Sequence, residues 1–147
     1  MERRIFSVVP AAGRSRRMGR AKLLLPWKTL DRPDGNVIDS VLAAWSTDRV
    51  AATVVVIRGD APLLEAACSR WPVHVVRATP APADMKASIQ LGLRYLDAEF
   101  TPQQSDYCFF CPADVPELRR HIIHRLIDEI PSKLDDKLLV PRFGKKT

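Results

Sequence analysis

Cysteine is scarce in this 147-residue chain: Cys68, Cys108 and Cys111 are the only three. So small and odd a set builds no disulfide framework and points to a reducing compartment. Cys108 and Cys111 have the spacing of a redox or metal pair. The intervening Phe109 and Phe110 instead read as the end of a buried strand, so the thiols are expected to act as small buried hydrophobes. Long apolar runs are missing too. None approaches the ~20 residues that span a bilayer, and the N-terminus has no signal-peptide apolar region. These absences predict a cytoplasmic protein with no membrane partner. There are no internal repeats, long linkers or low-complexity tracts, and 46% of the residues are hydrophobic. A single domain over 1–147 with one fold unit is the expectation.

Acidic residues are nearly missing from one end. Lys and Arg number 23 against 17 Asp and Glu, a net charge of +6. Between Met1 and Lys22, Arg3, Arg4, Arg14, Arg16, Arg17, Arg20 and Lys22 face only Glu2. Such a field suits an anionic partner. Nucleic acid is disfavoured, because no segment reads as a continuously basic helix and Trp27, Trp45 and Trp71 are not interleaved with basic residues as a stacking platform would need. His121 and His124 are three apart on a predicted helix but have no third ligand placed beside them, so no zinc site is expected. His74 lies in a strand-like run and reads as structural.

Apolar periodicity alternates between strand and helix along the whole chain. Strands are predicted over Ile5–Val9, Thr53–Ile57, Val73–Val76, Asp106–Cys111 and from Lys137 to Val140. Helices are predicted over Asn36–Trp45, Ala61–Trp71 with Pro62 in its first turn, Met85–Phe100 and Leu118–Ile130. In the third helix Ile89, Leu93 and Leu96 form the apolar stripe. Strands this apolar are covered on both faces. The expected fold is therefore a three-layer α/β/α sandwich around a mostly parallel, Rossmann-like sheet with right-handed crossovers.

Ligands of such sheets bind at the strands' carboxyl ends, where the stretch from Pro10 to Lys22 sits. Pro10-Ala11-Ala12-Gly13 allows a tight turn, and Arg14 to Gly19 can wrap an anion with amides and guanidinium groups. Lys22 adds a compact point charge. The stretch has neither the Gly-Lys-Ser/Thr of a Walker A loop nor the GxGxxG of a dinucleotide site. Residue chemistry alone leaves both a phosphate ligand and a plain basic loop open.

Ala11 to Pro26, AAGRSRRMGRAKLLLP, resembles the AAGxSxRMGxxKxLLP signature of the MobA-like nucleotidyltransferases, most closely the molybdenum cofactor cytidylyltransferases. The likeness continues through Pro80–Leu93 and Cys111–Leu118. It implies a fold of the nucleotide-diphospho-sugar transferase type. It also implies a Mg²⁺-dependent transfer of CMP or GMP from CTP or GTP to a phosphate-bearing acceptor, with pyrophosphate released. For the most similar members that acceptor is molybdopterin.

By this resemblance Ala11, Ala12 and Gly13 line the base and sugar end of the nucleotide, and Arg14, Ser15, Met18 and Gly19 belong to the same binding loop. Arg14 and Arg16 are also compatible with facing solvent. Arg17 and Lys22 hold phosphates as charge develops, and Asp114, in Pro112-Ala113-Asp114-Val115-Pro116, holds Mg²⁺. The alternative for Asp114 is a cap on the helix near Glu117, or shaping of the turn before Pro116. Ser88 and the opening amides of the helix from Met85 would meet base, ribose or phosphate. Asp84 stands where the family commonly has glycine and would cap that helix. Ala12 leans toward the cytidylyl branch.

Leu139 to Thr147 resembles the stretch leading into the family's Gly-His-Pro turn, so the chain is expected to lack a C-terminal portion carrying acceptor-side elements and a second metal-binding aspartate. A sugar- or polyol-phosphate nucleotidyltransferase and a non-catalytic nucleotide-binding domain are the alternatives.

Overall fold

The computed structural model describes residues 3–13 and 22–132. The strand predicted over 137–140 lies outside the described residues. Four strands, β1 (Ile5–Pro10), β2 (Ala52–Arg58), β3 (His74–Ala78) and β4 (Tyr107–Phe110), form one sheet in the order β3-β2-β1-β4. Every neighbouring pair is parallel, with Val8 opposite Val54 and Phe110. Helices α1 (Val37–Trp45), α2 (Pro62–Cys68), α3 (Met85–Phe100) and α4 (Arg120–Asp128) connect and follow the strands. The chain steps outward from β1 to β2 to β3, and α3 then carries it back to lay β4 on the other side of β1. The winding reverses at β1, and a crevice opens beyond the carboxyl ends of the strands at such a reversal.

Strand alternation sorts the core into two halves. Ile5, Val9, Val55 and Ile57 pack with Ile38, Leu42, Leu64, Ile123 and Ile127 of α1, α2 and α4. Phe6, Val8, Val54 and Val56 pack on the opposite face with Leu96 of α3. The chain is thus a three-layer α/β/α sandwich. The buried hydroxyls of Ser7 and Thr53 satisfy each other at 2.6 Å inside the sheet.

Tertiary contacts trim several predicted elements. α2 stops at Cys68 because the Ser69 hydroxyl donates to the carbonyls of Glu65 and Ala66, while Trp71 turns its indole N–H to Asp39 of α1 at 2.9 Å. α4 is shorter than predicted at both ends, since Leu118 N–H bonds back to the Val115 carbonyl in a turn and Glu129 lies at the C-cap. β4 starts after Asp106, whose carboxylate is tied to the N–H groups of Arg4 and Gln103.

The expected burial of β4's end is also corrected. Cys108, Phe109 and Cys111 are half-buried and Phe110 is 41% exposed, because among the described residues β4 pairs with β1 alone. α3 has the predicted bounds and keeps Leu96 of the predicted stripe inside, but not Leu93. Ser88, Gly92 and Leu96 are buried, while Leu93 is exposed and Ile89 half-buried. A Cβ on Gly92 would lie 2.5 Å from Val8 Cγ1, so the missing side chain is what lets α3 sit this close to β1.

Asp106 fastens β4 and the preceding turn to the start of β1. Burial alone would raise its pKa, but the N–H groups of Gln103 and Arg4 and the Arg4 guanidinium at 2.9 Å together hold it below the ordinary value of 3.8. A carboxylate with a depressed folded pKa contributes stability above the unfolded pKa and loses it as pH falls through the folded value. Urea midpoints should therefore be level above about pH 5 and decline below about pH 4, with a shallower decline in Asp106→Asn. Parallel slopes in the two proteins would remove Asp106 as a source of acid sensitivity.

Candidate active site

A cleft of about 790 Å³ lies at the carboxyl ends of β1, β2 and β4. Pro10, Ala11, Ala12 and Gly13 line it from β1, Arg58 from β2, and Pro112, Ala113 and Asp114 from the segment after β4. Lys22 and Leu23 close one side, and Ala81 to Met85 with Ser88 close another. Ala11, Ala12, Gly13, Lys22, Ser88 and Asp114, separated by as many as 103 positions along the chain, thus meet at one cleft. Arg14, Ser15, Arg17, Met18 and Gly19 lie outside the described residues.

Lys22 and Asp114 face each other across the cleft, with Nζ 3.2 Å from Oδ2. Their side chains are 51% and 46% exposed, and an ion pair in that setting contributes only about 0–1 kcal/mol. Such a pair parts at little cost when a phosphate or a cation offers either member a stronger partner.

The backbone explains why the two meet. Cys111 N–H bonds to the Val8 carbonyl at 3.2 Å and Ala113 N–H to the Pro10 carbonyl at 3.4 Å, so the chain stays tied to β1 past the end of β4 and up to Asp114. Lys22 opens a single 3-10 turn, Lys22–Leu24, and the Leu25 carbonyl then accepts Val37 N–H at 3.0 Å. The helix-cap reading of Asp114 does not hold, because α4 begins at Arg120 with Arg119 at its N-cap.

Asp84 does cap α3, accepting Ala87 N–H at 2.8 Å, and it also lines the cleft. Its main-chain carbonyl accepts Ser88 N–H at 3.2 Å and faces the Ser88 hydroxyl at 3.4 Å. Two amides of the opening turn are therefore engaged by Asp84 itself, and Ser88 borders the cleft as a 4% exposed residue.

Ala11 and Ala12 bury their methyl groups in opposite halves of the core, and Ala11 N–H is bonded to the Val56 carbonyl at 2.8 Å. They give the cleft a backbone wall. Gly13 does not adopt a left-handed backbone, and a Cβ on it would meet no described atom within 4 Å.

Sequence reasoning missed Arg58. Its guanidinium is held by Asp60 through Nε and Nη2, both at 2.9 Å, and the Asp60 hydrogen bond raises its pKa further. The available signal was its position just past the predicted strand Thr53–Ile57.

The cysteines are all free, and burial pushes Cys108 up to about 12 and Cys68 up to about 11. Burial, with the Asp114 charge, pushes Cys111 up to about 11. Thiols raised this far are protonated at neutral pH and poor nucleophiles. His124 Nε2 pairs with the Thr47 hydroxyl at 2.7 Å and His74 Nδ1 with the Tyr95 hydroxyl at 3.0 Å, both structural contacts. No group of three or more His, Cys, Asp and Glu able to hold a metal occurs among the described residues. No described helix is long and apolar enough to cross a membrane.

The MobA-like NTP transferase domain matches this chain over residues 7–147. The chain belongs to that family. A nucleotidyl transferase from Methanothermobacter thermautotroptrophicus, Mth528, superposes with a TM-score of 0.68 at 29% identity, covering 86% of this chain and 57% of its own. Rv0371c from Mycobacterium tuberculosis H37Rv superposes with a TM-score of 0.63 at 23% identity, covering 86% of this chain and 60% of its own. The 4-diphosphocytidyl-2C-methyl-D-erythritol synthase gives 0.66 at 20% identity, with 88% and 55% covered. The last two likenesses bear on the fold alone. The chain thus spans between 55% and 60% of the length of these structures. No curated protein matches it.

Proposed function

We propose that the cleft binds a nucleoside triphosphate and that the protein transfers its nucleoside monophosphate to a phosphate-bearing acceptor. The observation that carries this reading is the Lys22–Asp114 pair at 3.2 Å, set against the Pro10–Gly13 wall where the sheet's winding reverses. Transfer at phosphorus asks the protein for positioning and charge more than for covalent help. An oxygen of the acceptor phosphate attacks the α-phosphorus, the bond from that phosphorus to the bridging oxygen breaks, and pyrophosphate leaves. Lys22 separates from Asp114 and takes the phosphate oxygens. Arg17 shares that load.

Asp114 fits Mg²⁺, which is commonly held by one or two carboxylates together with substrate phosphates and water. When bound, the cation supplies charge neutralisation for the departing pyrophosphate. CTP is the favoured nucleotide, on the Ala12 version of the loop, with GTP the competitor. Molybdopterin is the favoured acceptor, on the Ala11–Pro26 signature.

Calorimetric titration of the full chain with CTP and GTP, each with and without Mg²⁺, tests the reading. The expected result is saturable binding that prefers CTP, tightens with Mg²⁺ and weakens about tenfold in Lys22→Ala. Absence of nucleotide binding by the folded chain would remove the proposal. Binding without pyrophosphate release in the presence of acceptor would reduce it to a nucleotide-binding domain.

A further inference from the structure

The loops carrying Lys22 and Asp114 are both fastened to the first turn of α1. The opening N–H groups of a helix have no partner within it, and Val37 donates its own to the Leu25 carbonyl at 3.0 Å. Three residues along, on the same side of the helix, the Ser40 hydroxyl donates to the Pro116 carbonyl at 2.9 Å. Ser40 is 3% exposed and Pro116 is buried, so water does not compete for that bond. Asp114 is thereby bracketed. On one side Ala113 N–H is held by the Pro10 carbonyl at 3.4 Å, and on the other Pro116 is held by Ser40. The turn of α1 that does this is itself fixed by a reciprocal cap, with Asn36 accepting Asp39 N–H at 2.9 Å and Asp39 accepting Asn36 N–H at 3.1 Å.

We infer that Ser40 is a positioning residue for the nucleotide site, acting through Pro116 to set where the Asp114 carboxylate stands relative to Lys22. The inference rests on the nucleotidyl-transfer reading given above. Ser40 does not line the cleft. Loss of its hydroxyl leaves the Pro116 carbonyl buried without its donor and releases one end of the three-residue span 114–116. Groups that hold a metal-binding side chain from behind commonly govern affinity about tenfold or more.

The test is calorimetric titration of CTP into the full chain with and without Mg²⁺, comparing wild type, Ser40→Ala, Asp114→Asn and the double variant. Ser40→Ala should diminish the tightening by Mg²⁺ about tenfold and leave the Mg²⁺-free affinity within about twofold. In the Asp114→Asn background it should change nothing further, because the group it positions has lost its charge. Ser7→Ala, which breaks the buried Ser7–Thr53 bond away from both loops, should preserve the Mg²⁺ response and so report the effect of lost stability alone. Should Ser40→Ala not fold, Ser40→Cys keeps the buried volume with a much weaker donor and should show the same loss in smaller measure.

An undiminished Mg²⁺ response in a folded Ser40 variant would overturn the inference, as would an equal loss in the Asp114→Asn background. If wild type itself bound no CTP, or bound it without regard to Mg²⁺, the underlying reading would fall first and the inference with it.

Discussion

Asp114→Asn should lower Mg²⁺-dependent pyrophosphate release by about 10²–10³-fold while leaving the fold intact. Asparagine keeps the shape of the side chain and removes its negative charge, so a cation loses its carboxylate ligand and the ion pair with Lys22 is lost. The cost to stability should stay below about 1 kcal/mol, because the broken partner is a half-exposed lysine. The two readouts together separate a functional aspartate from one that merely shapes the turn before Pro116. Pyrophosphate release at constant CTP and molybdopterin acceptor and varied Mg²⁺, paired with a urea curve, measures both. Undiminished release would exclude Asp114 from the reaction, and a large stability loss with unchanged release would return it to a turn role.

Gly92→Val should destabilise the chain by about 3 kcal/mol and lower the Tm by roughly 10 °C. A Cβ at residue 92 falls 2.5 Å from Val8 Cγ1, 3.2 Å from Val8 Cγ2 and 3.4 Å from Val56 Cγ2. Val8 and Val56 are fully buried strand residues with no room to withdraw, so α3 must lift from the sheet. Valine's higher helix propensity than glycine's recovers only a few tenths of a kcal/mol. Leu93→Ala supplies the contrast, because sequence periodicity placed Leu93 on the buried stripe whereas it is 39% exposed. It should cost about 1 kcal/mol or less. Thermal unfolding of both variants decides between the two stripes. A costlier Leu93→Ala would mean that the helix is rotated so that Leu93, not Gly92, faces β1.

Legibility varied with the range of the interactions involved. β1, β2 and α3 were readable because continuous Val/Ile runs and sixteen helical positions carry a strong local signal. The ends of α2, α4 and β4 were less so, because long-range or loop contacts set them: Trp71 reaching Asp39, Leu118 bonding to Val115, and Asp106 holding Arg4. On the inner face of α3 Leu96 is legible and Gly92 is not, for a related reason. Hydropathy ranks Leu93 above Gly92, and nothing local says that closeness to β1 outweighs apolar bulk.

The candidate site divides the same way. The signature from Ala11 to Pro26 and the short Pro112–Pro116 segment were visible in the sequence, because residue type and order alone mark them. Arg58 was not visible, since one arginine after a strand has no distinguishing chemistry until the cleft wall is assembled around it. Ser40 was invisible for a stronger reason, as its partner is the carbonyl of a residue 76 positions away and a main-chain acceptor leaves no mark in sequence.

The sequence by itself determined the alternation of strands and helices, the layered class and the family, all consequences of local apolar period and of one ordered motif. Only the tertiary structure decided that Lys22 and Asp114 stand 3.2 Å apart and that one turn of α1 anchors both of their loops. Distances between residues far apart in the chain follow from how helices and strands pack. Packing depends on the shapes of all the contacting side chains together, and no single segment of sequence contains that information.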